Sequence, residues 1–189
     1  MKLNENEKII CSNCILVPYN IDHVPKYHNW MEDEEIRRLT GSERLSLDEE
    51  YAMQKSWRED EDKLTFIILK IDPGSSEENS MVGDVNLFID NEDKSAEVEI
   101  MLAEAAARGK KIGSTAVKAI ISYAINKLNI NKYFAKITDD NEPSLAMFRK
   151  LGFTVSSHSA VFGEYTLELE TPDNLRCFIG ESSKLLPYR

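Results

Sequence analysis

Apolar and polar positions change period several times along this chain, and each change marks an element. Apolar runs of strand length lie at residues 14–19 (CILVPY), 64–71 (LTFIILKI), 81–89 (MVGDVNLFI) and 96–103 (AEVEIMLA). In the last run the alternation is strict, with Ala96, Val98, Ile100 and Leu102 on one face and Glu97 and Glu99 on the other. A helical period takes over at 112–128, where apolar residues recur at 112, 116, 119, 120, 123, 124 and 128. HVPKYHNWME begins a short helix, and Ser46 with Glu49 forms an S-x-x-E capping box that opens another. A strand at 132–137, a helix at 142–151 and strands near 153–159 and 161–170 follow, and the tail from Thr171 to Arg189 leaves room for one more helix. DPGSSEENS reads as a hairpin connection. A strand meander followed by β-α-β-α-β-β predicts an α/β fold, a mixed sheet with helices on both faces.

Composition narrows this picture. A length of 189 residues with 42% hydrophobic content fits one domain over 1–189, with a C-terminal extension from about 171. No apolar run approaches the ~20 residues of a membrane span, and MKLNENEKII lacks the apolar stretch of a signal peptide. Three cysteines in such a chain fit a reducing compartment, cytoplasm or nucleus. Cys11 and Cys14, followed by His23 and His28, invite a zinc reading. The spacing refuses it, because a finger needs about twelve residues between its second cysteine and first histidine. Both thiols read instead as small buried side chains.

The formal net charge of −10 argues against nucleic acid as a partner. Against that background, residues 105–138 contain no Asp or Glu but hold Arg108, Lys110, Lys111, Lys118, Lys127, Lys132 and Lys136. RGKKIG (108–113) lies between a strand and a helix N-terminus, where unpaired N–H groups and the helix dipole favour an anion. Gly109 and Gly113 let the backbone approach a ligand and Ser114 adds a hydroxyl, so phosphate or pyrophosphate is the expected guest.

A second pattern follows about thirty residues on: NEPSLAMFRKLGF (141–153), with Asn141 as cap, Pro143 in the first turn and Gly152 as stop. Together the two segments resemble the GNAT acetyltransferase superfamily, whose motifs read Q/R-x-x-G-x-G/A and N-x-x-(A/S)-x-x-(L/M)-Y-x-K-x-G-F. Arg108 and Gly113 match the ends of the first; Asn141, Ser144, Met147, Lys150, Gly152 and Phe153 match the second. LVPYNIDHVPKYHNWM, YAMQKSWREDEDKLTFIIL and MVGDVNLF are similar to the N-acetyltransferase 9 branch. The resemblance implies a mostly antiparallel GNAT-type sheet and acetyl transfer from acetyl-CoA to a protein N-terminal amine, with α- and β-tubulin as acceptors. It needs no metal. It also implies that pantetheine lies between the strands at 96–103 and 132–137, against Met101, Leu102 and Ala103. The loop Arg108, Gly109, Lys110, Lys111, Ile112, Gly113 and Ser114 would then hold the pyrophosphate, with Asn141, Ser144 and Phe148 beside the co-substrate.

Two positions depart from the family pattern. Lys111 replaces the middle glycine, and Phe148 replaces a tyrosine able to protonate the departing thiolate. A thiol pKa near 8.5 lets the thiolate leave without an acid, at a rate cost of about 10²–10⁴. These departures also support a second reading, a CoA-binding protein that acts through a partner surface. For catalysis, Glu99 or Glu97 is the candidate base, and repulsion between them would raise one pKa. Both also read as ordinary strand carboxylates. His158 and Tyr165 fall where relatives border the acceptor, Trp30 and Trp57 read as core, and Asp139 and Asp140 as loop residues. Residues 32–62 carry twelve acids against five bases, which reads as a solvated helix face or as a wall favouring Arg or Lys near the acceptor amine.

Overall fold

In a computed structural model, residues 2–169 and 183–188 are described. Nine strands form one sheet: β1 (Glu7–Ile10), β2 (Cys14–Pro18), β3 (Lys63–Lys70), β4 (Met81–Asp90), β5 (Ser95–Leu102), β6 (Lys132–Thr138), β7 (Thr154–Ser159), β8 (Glu164–Leu169) and β9 (Lys184–Pro187). Their spatial order is β7-β8-β6-β5-β4-β3-β2-β1-β9, and every neighbouring pair is antiparallel except β5–β6. The helices are α1 (Val24–Met31), α2 (Glu34–Thr40), α3 (Leu47–Glu59), α4 (Glu77–Ser80), α5 (Ile112–Leu128) and α6 (Glu142–Lys150).

Strand alternation separates two cores. Leu64, Phe66, Ile68, Val85, Leu87 and Val98 face α5 and α6, meeting Ala116, Val117, Ile120, Ile121, Leu145 and Phe148. The opposite face carries Val17, Tyr19, Ile67, Leu69 and Met101, covered by Val24, Tyr27, Trp30 and Met31 of α1 and Ile36 of α2. Helix α3 adds Tyr51, Met53 and Trp57 to this second layer.

The Ser46 box forms as its sequence implies: Ser46 Oγ accepts from the Glu49 amide, and Glu49 Oε2 accepts from the Ser46 amide at 2.8 Å. Helix α5 spans 112–128 and closes on Asn129 in the left-handed region, φ 56°. Four elements were not foreseen. Helix α2 carries a local signature, Asp33 capping the Glu35 and Ile36 amides and Gly41 closing it at φ 62°. The 72–80 connection holds the single turn α4. Strand β1 is four residues long and exists by pairing with β2 and β9. The tail helix predicted within 171–189 falls largely outside the described residues, and 184–187 is a strand instead.

Strand β4 approaches β5 so closely at Gly83 that a Cβ there would lie 1.9 Å from the Met101 carbonyl oxygen. No residue with a side chain fits. On the other side, β5 pairs with β6 only at Ser95–Lys132, Ala96–Tyr133 and Glu97–Phe134. Beyond Glu97 the two strands part, while β6 stays paired with β8 through Thr138.

Candidate active site

The parting of β5 and β6 makes the site. From Val98 onward the β6-facing edge of β5 is released from the parallel ladder, so its backbone groups are free to bind an extended chain. Met101, Leu102 and Ala103 lie at that end. Met101 turns its side chain into the second core, while Leu102 packs against the first.

The chain then turns through Ala105–Ala107 and enters α5 across the basic loop. Gly109 and Lys111 both take left-handed backbone, φ 73° and 62°. The loop therefore keeps the shape that favours a middle glycine even though a lysine occupies it. Lys111 is exposed and is the N-cap of α5 without a side-chain cap bond, and the Ser114 hydroxyl donates to its carbonyl at 2.9 Å. The first-turn amides of α5 have no partner within the helix and carry the positive end of its dipole. From the far side, Asn13 Nδ2 donates to the Lys110 carbonyl at 3.1 Å and braces the loop.

Other predicted ligand residues are already engaged. The Arg108 guanidinium folds back, its Nε donating to the Leu102 carbonyl at 3.0 Å and its Nη2 reaching the Ala103 carbonyl at 3.5 Å. Buried Gly113 serves packing: a Cβ there would lie 3.2 Å from Met147 Sδ and 3.4 Å from Leu102 Cδ1. Ile112 is buried, Lys110 exposed. Asn141 caps α6 by accepting from the Ser144 amide at 3.2 Å. Phe148 is buried edge-on against Phe153, ring centroids 5.0 Å apart, and so is a core residue.

The two carboxylates share the face their alternation assigns them but differ in surroundings. Glu97 pairs with Lys136 at 2.9 Å. Glu99 stands just past the last β5–β6 pair and reaches solvent. The sheet face around it still withdraws enough water to raise its pKa to about 7, against the cationic field of Lys63; repulsion from Glu97 and Asp84 adds to the rise. The expected cause, mutual repulsion, is thus secondary to loss of solvation.

Sequence reading missed the polar row beside it. Thr65 Oγ1 donates to Asn86 Oδ1 at 2.6 Å, Asn86 Nδ2 donates to Asp84 Oδ2 at 2.7 Å, and Asn86 sits opposite Glu99. Burial raises the Asp84 pKa to about 6. Its signal in the sequence was MVGDVNLF, where Asp84, Asn86 and Phe88 alternate with Val85 and Leu87.

Around the rim, His158 Nε2 lies 2.9 Å from Asp139 Oδ1 and its ring packs at a tilt against Tyr165, centroids 4.4 Å apart. Arg38 of α2 pairs with Asp140 at 2.7 Å and with Glu35 at 2.8 Å, tying the helical wall to the loop before α6. Trp30 is core, yet its indole N–H donates to Glu104 at 3.0 Å. The acids of 32–62 are largely engaged. Glu32 pairs with Arg44 at 2.6 Å, Asp33 and Glu49 cap helices, Glu61 pairs with Lys2 and Glu50 is buried. Cys11 and Cys14 are buried thiols outside any disulfide, and no group of three or more His, Cys, Asp or Glu able to hold a metal occurs among the described residues.

This geometry has close relatives. Residues 13–154 match the family profile described as "Acetyltransferase (GNAT) domain". The N-acetyltransferase 9-like protein of Caenorhabditis briggsae is 55% identical over 199 residues, covering 100% of each chain. The alpha/beta-tubulin-N-acetyltransferase 9 of Homo sapiens is 46% identical, covering 100% of this chain and 97% of its own. Among solved structures, a spermidine N-acetyltransferase from Vibrio cholerae in complex with CoA and spermine superposes with a TM-score of 0.75 at 18% identity, covering 87% of this chain and 99% of its own. The ribosomal L7/L12 alpha-N-protein acetyltransferase RimL reaches 0.73 at 16%, covering 86% and 92%. These two show the fold. With its parted strands, left-handed basic loop and full-length identity to curated relatives, the chain belongs to the N-acetyltransferase 9 group of the GNAT acetyltransferases and is an acyltransferase.

Proposed function

We propose that this enzyme transfers the acetyl group of acetyl-CoA to the α-amine of a protein N-terminus, with Glu99 as the general base and the N-termini of α- and β-tubulin as acceptors. The observation that carries the reading is the Glu99 carboxyl at the parting of β5 and β6, with a pKa of about 7. An α-ammonium has a pKa of about 7.7–8.0, close enough for a base of this strength to share its proton near neutral pH. Glu97 is held by Lys136 and serves less well.

Acetyl-CoA fits the residues present. The released edge of β5 at 98–102 suits the amides of pantetheine, and the left-handed loop 109–111 with the α5 amides suits its pyrophosphate. Lys110 and Lys111 add charge there. Arg108 would have to leave the Leu102 carbonyl before that carbonyl could accept from a ligand. Once bound, acetyl-CoA supplies the activated acyl group. Glu99 takes the amine proton, and backbone groups of β5 orient the carbonyl. With Phe148 buried and hydroxyl-free, the thiolate departs without help from that position.

The tubulin assignment rests on the human and mouse relatives, whose names carry that acceptor, and the α-amine also on the RimL neighbour. Calorimetric titration with acetyl-CoA, then mass spectrometry of tubulin N-terminal peptides beside internal-lysine controls, tests both steps. Acetylation confined to lysine side chains would overturn the α-amine assignment, and failure to bind acetyl-CoA would overturn the co-substrate.

A further inference from the structure

Lys63 opens β3 and is 3% exposed. Its Nζ lies 3.4 Å from the ring centroid of Trp57 on α3 and 3.8 Å from that of Phe88 on β4. Two aromatic faces thus replace the water an ammonium normally keeps. Register places this cation near the transfer site: Lys63 is opposite Phe88, and Phe88 is opposite Glu97. The next row on the same face is Thr65, Asn86 and Glu99. Lys63 is therefore two strands and one row from Glu99, about 12 Å across the sheet between Cα atoms.

The titratable groups around Glu99 come from five elements: Lys63 from β3, Asp84 from β4, Glu97 from its own strand, Lys136 from β6 and the neutral phenol of Tyr27 from α1. Lys63 in turn feels Glu99, Asp84 and Asp60 at the end of α3, and burial lowers its own pKa to about 8. Of the two cations near Glu99, Lys136 is bound to Glu97, which neutralises much of its charge. Lys63 is the one that opposes Asp84 and Glu97.

We propose that Lys63 is a positioning residue for acetyl transfer: clamped between Trp57 and Phe88, its ammonium keeps the Glu99 carboxyl ionised and ready to accept the acceptor's proton. The inference rests on Glu99 being the base. A lysine ammonium held in place by ring faces acts through its field, so its removal alters the protonation of Glu99 without removing a contact to substrate. Losing the cation makes Glu99 hold its proton to higher pH.

The test is the pH profile of kcat/KM from pH 5.5 to 9 with one tubulin N-terminal peptide, so that the ionisation of the amine is common to all variants. Lys63→Met should move the acid limb about one unit alkaline, lowering kcat/KM ~fivefold at pH 7 and little at pH 9. Lys63→Arg should keep the limb near its original place, because the charge survives. A limb in Lys63→Met that coincides with wild type, or one in Lys63→Arg displaced as far as in Lys63→Met, would overturn the inference. Glu99→Gln separates the two ideas. Its profile should keep only the limb that the amine sets, with the contribution near pH 7 gone; a Glu99→Gln profile that follows wild type overturns the base itself. Should Lys63→Met fail to fold, carbon NMR of the Lys63 Cε in wild type and Glu99→Gln gives the same answer. Coupling predicts a lower lysine midpoint in Glu99→Gln, and equal midpoints refute it.

Discussion

Lys111 offers a clean measurement of the loop proposed to hold acetyl-CoA. It sits at φ 62° and ψ 7°, where an L side chain crowds the following carbonyl. That conformation costs a non-glycine residue roughly 1–2 kcal/mol. Lys111→Gly removes the crowding but adds freedom to the unfolded chain, an opposing effect of about 0.5–1 kcal/mol. The balance is a gain of about 0.5–1 kcal/mol, or ~1–4 °C in Tm for a chain of this size. Lys111 is exposed and makes no side-chain cap bond to α5, so no packing is lost. Lys111→Ala is the control, since it removes the same charge and leaves the backbone strained. Calorimetric melting of the three proteins should rank the glycine variant above the other two. Both variants should lose acetyl-CoA affinity to a similar, salt-dependent degree if the ammonium meets the phosphates. A glycine variant that melts at or below the alanine variant would refute the left-handed assignment, and with it the reading of this loop as a glycine-type phosphate turn.

Glu99→Gln should leave acetyl-CoA affinity nearly unchanged while lowering the rate most at pH 7 and above, where wild type holds an ionised base; Glu97→Gln should cost less. The same substitution reports on stability. Because the folded pKa of about 7 lies above the ordinary 4.5, ionisation disfavours the fold increasingly from pH 4.5 to 7, so Glu99→Gln should out-melt wild type at pH 8 and match it at pH 4. Equal melting at both values would contradict the raised pKa. Gly83→Ala forces a methyl against the Met101 backbone and should cost about 3 kcal/mol or more, seen as a large drop in Tm together with weaker acetyl-CoA binding. Asn13→Ala removes one hydrogen bond from the Lys110 carbonyl and should weaken acetyl-CoA binding ~2–10-fold with little change in Tm; unchanged affinity would show that the brace is not needed.

The sequence by itself determined everything that depends on neighbours a few residues away. The period of 112–128 set the long helix, Ser46 and Glu49 set the start of α3, and strict alternation placed Glu97 and Glu99 on one face of β5. The shape of the basic loop and the Asn141 helix were also legible, because a glycine-bearing turn and a helix cap are each written within six to thirteen consecutive residues. Helix α2 was equally local, from Asp33 to Gly41, and was overlooked.

Tertiary structure decided the rest. Strands β1 and β9 are too short to announce themselves: β1 is held between β2 and β9, and β9 pairs with β1 from some 175 residues away along the chain. Arg108 turns to the end of β5, and a Cβ at Gly113 would press on the Met147 side chain. Which of two equivalent-looking glutamates is free depends on Lys136 reaching Glu97 from β6, and on the solvation left around Glu99. Lys63 looks like any strand-end lysine until Trp57 and Phe88 close on it. Periodicity records which way a side chain points. Its charge state depends on the groups and the water within a few ångströms, and those are brought there by distant parts of the chain.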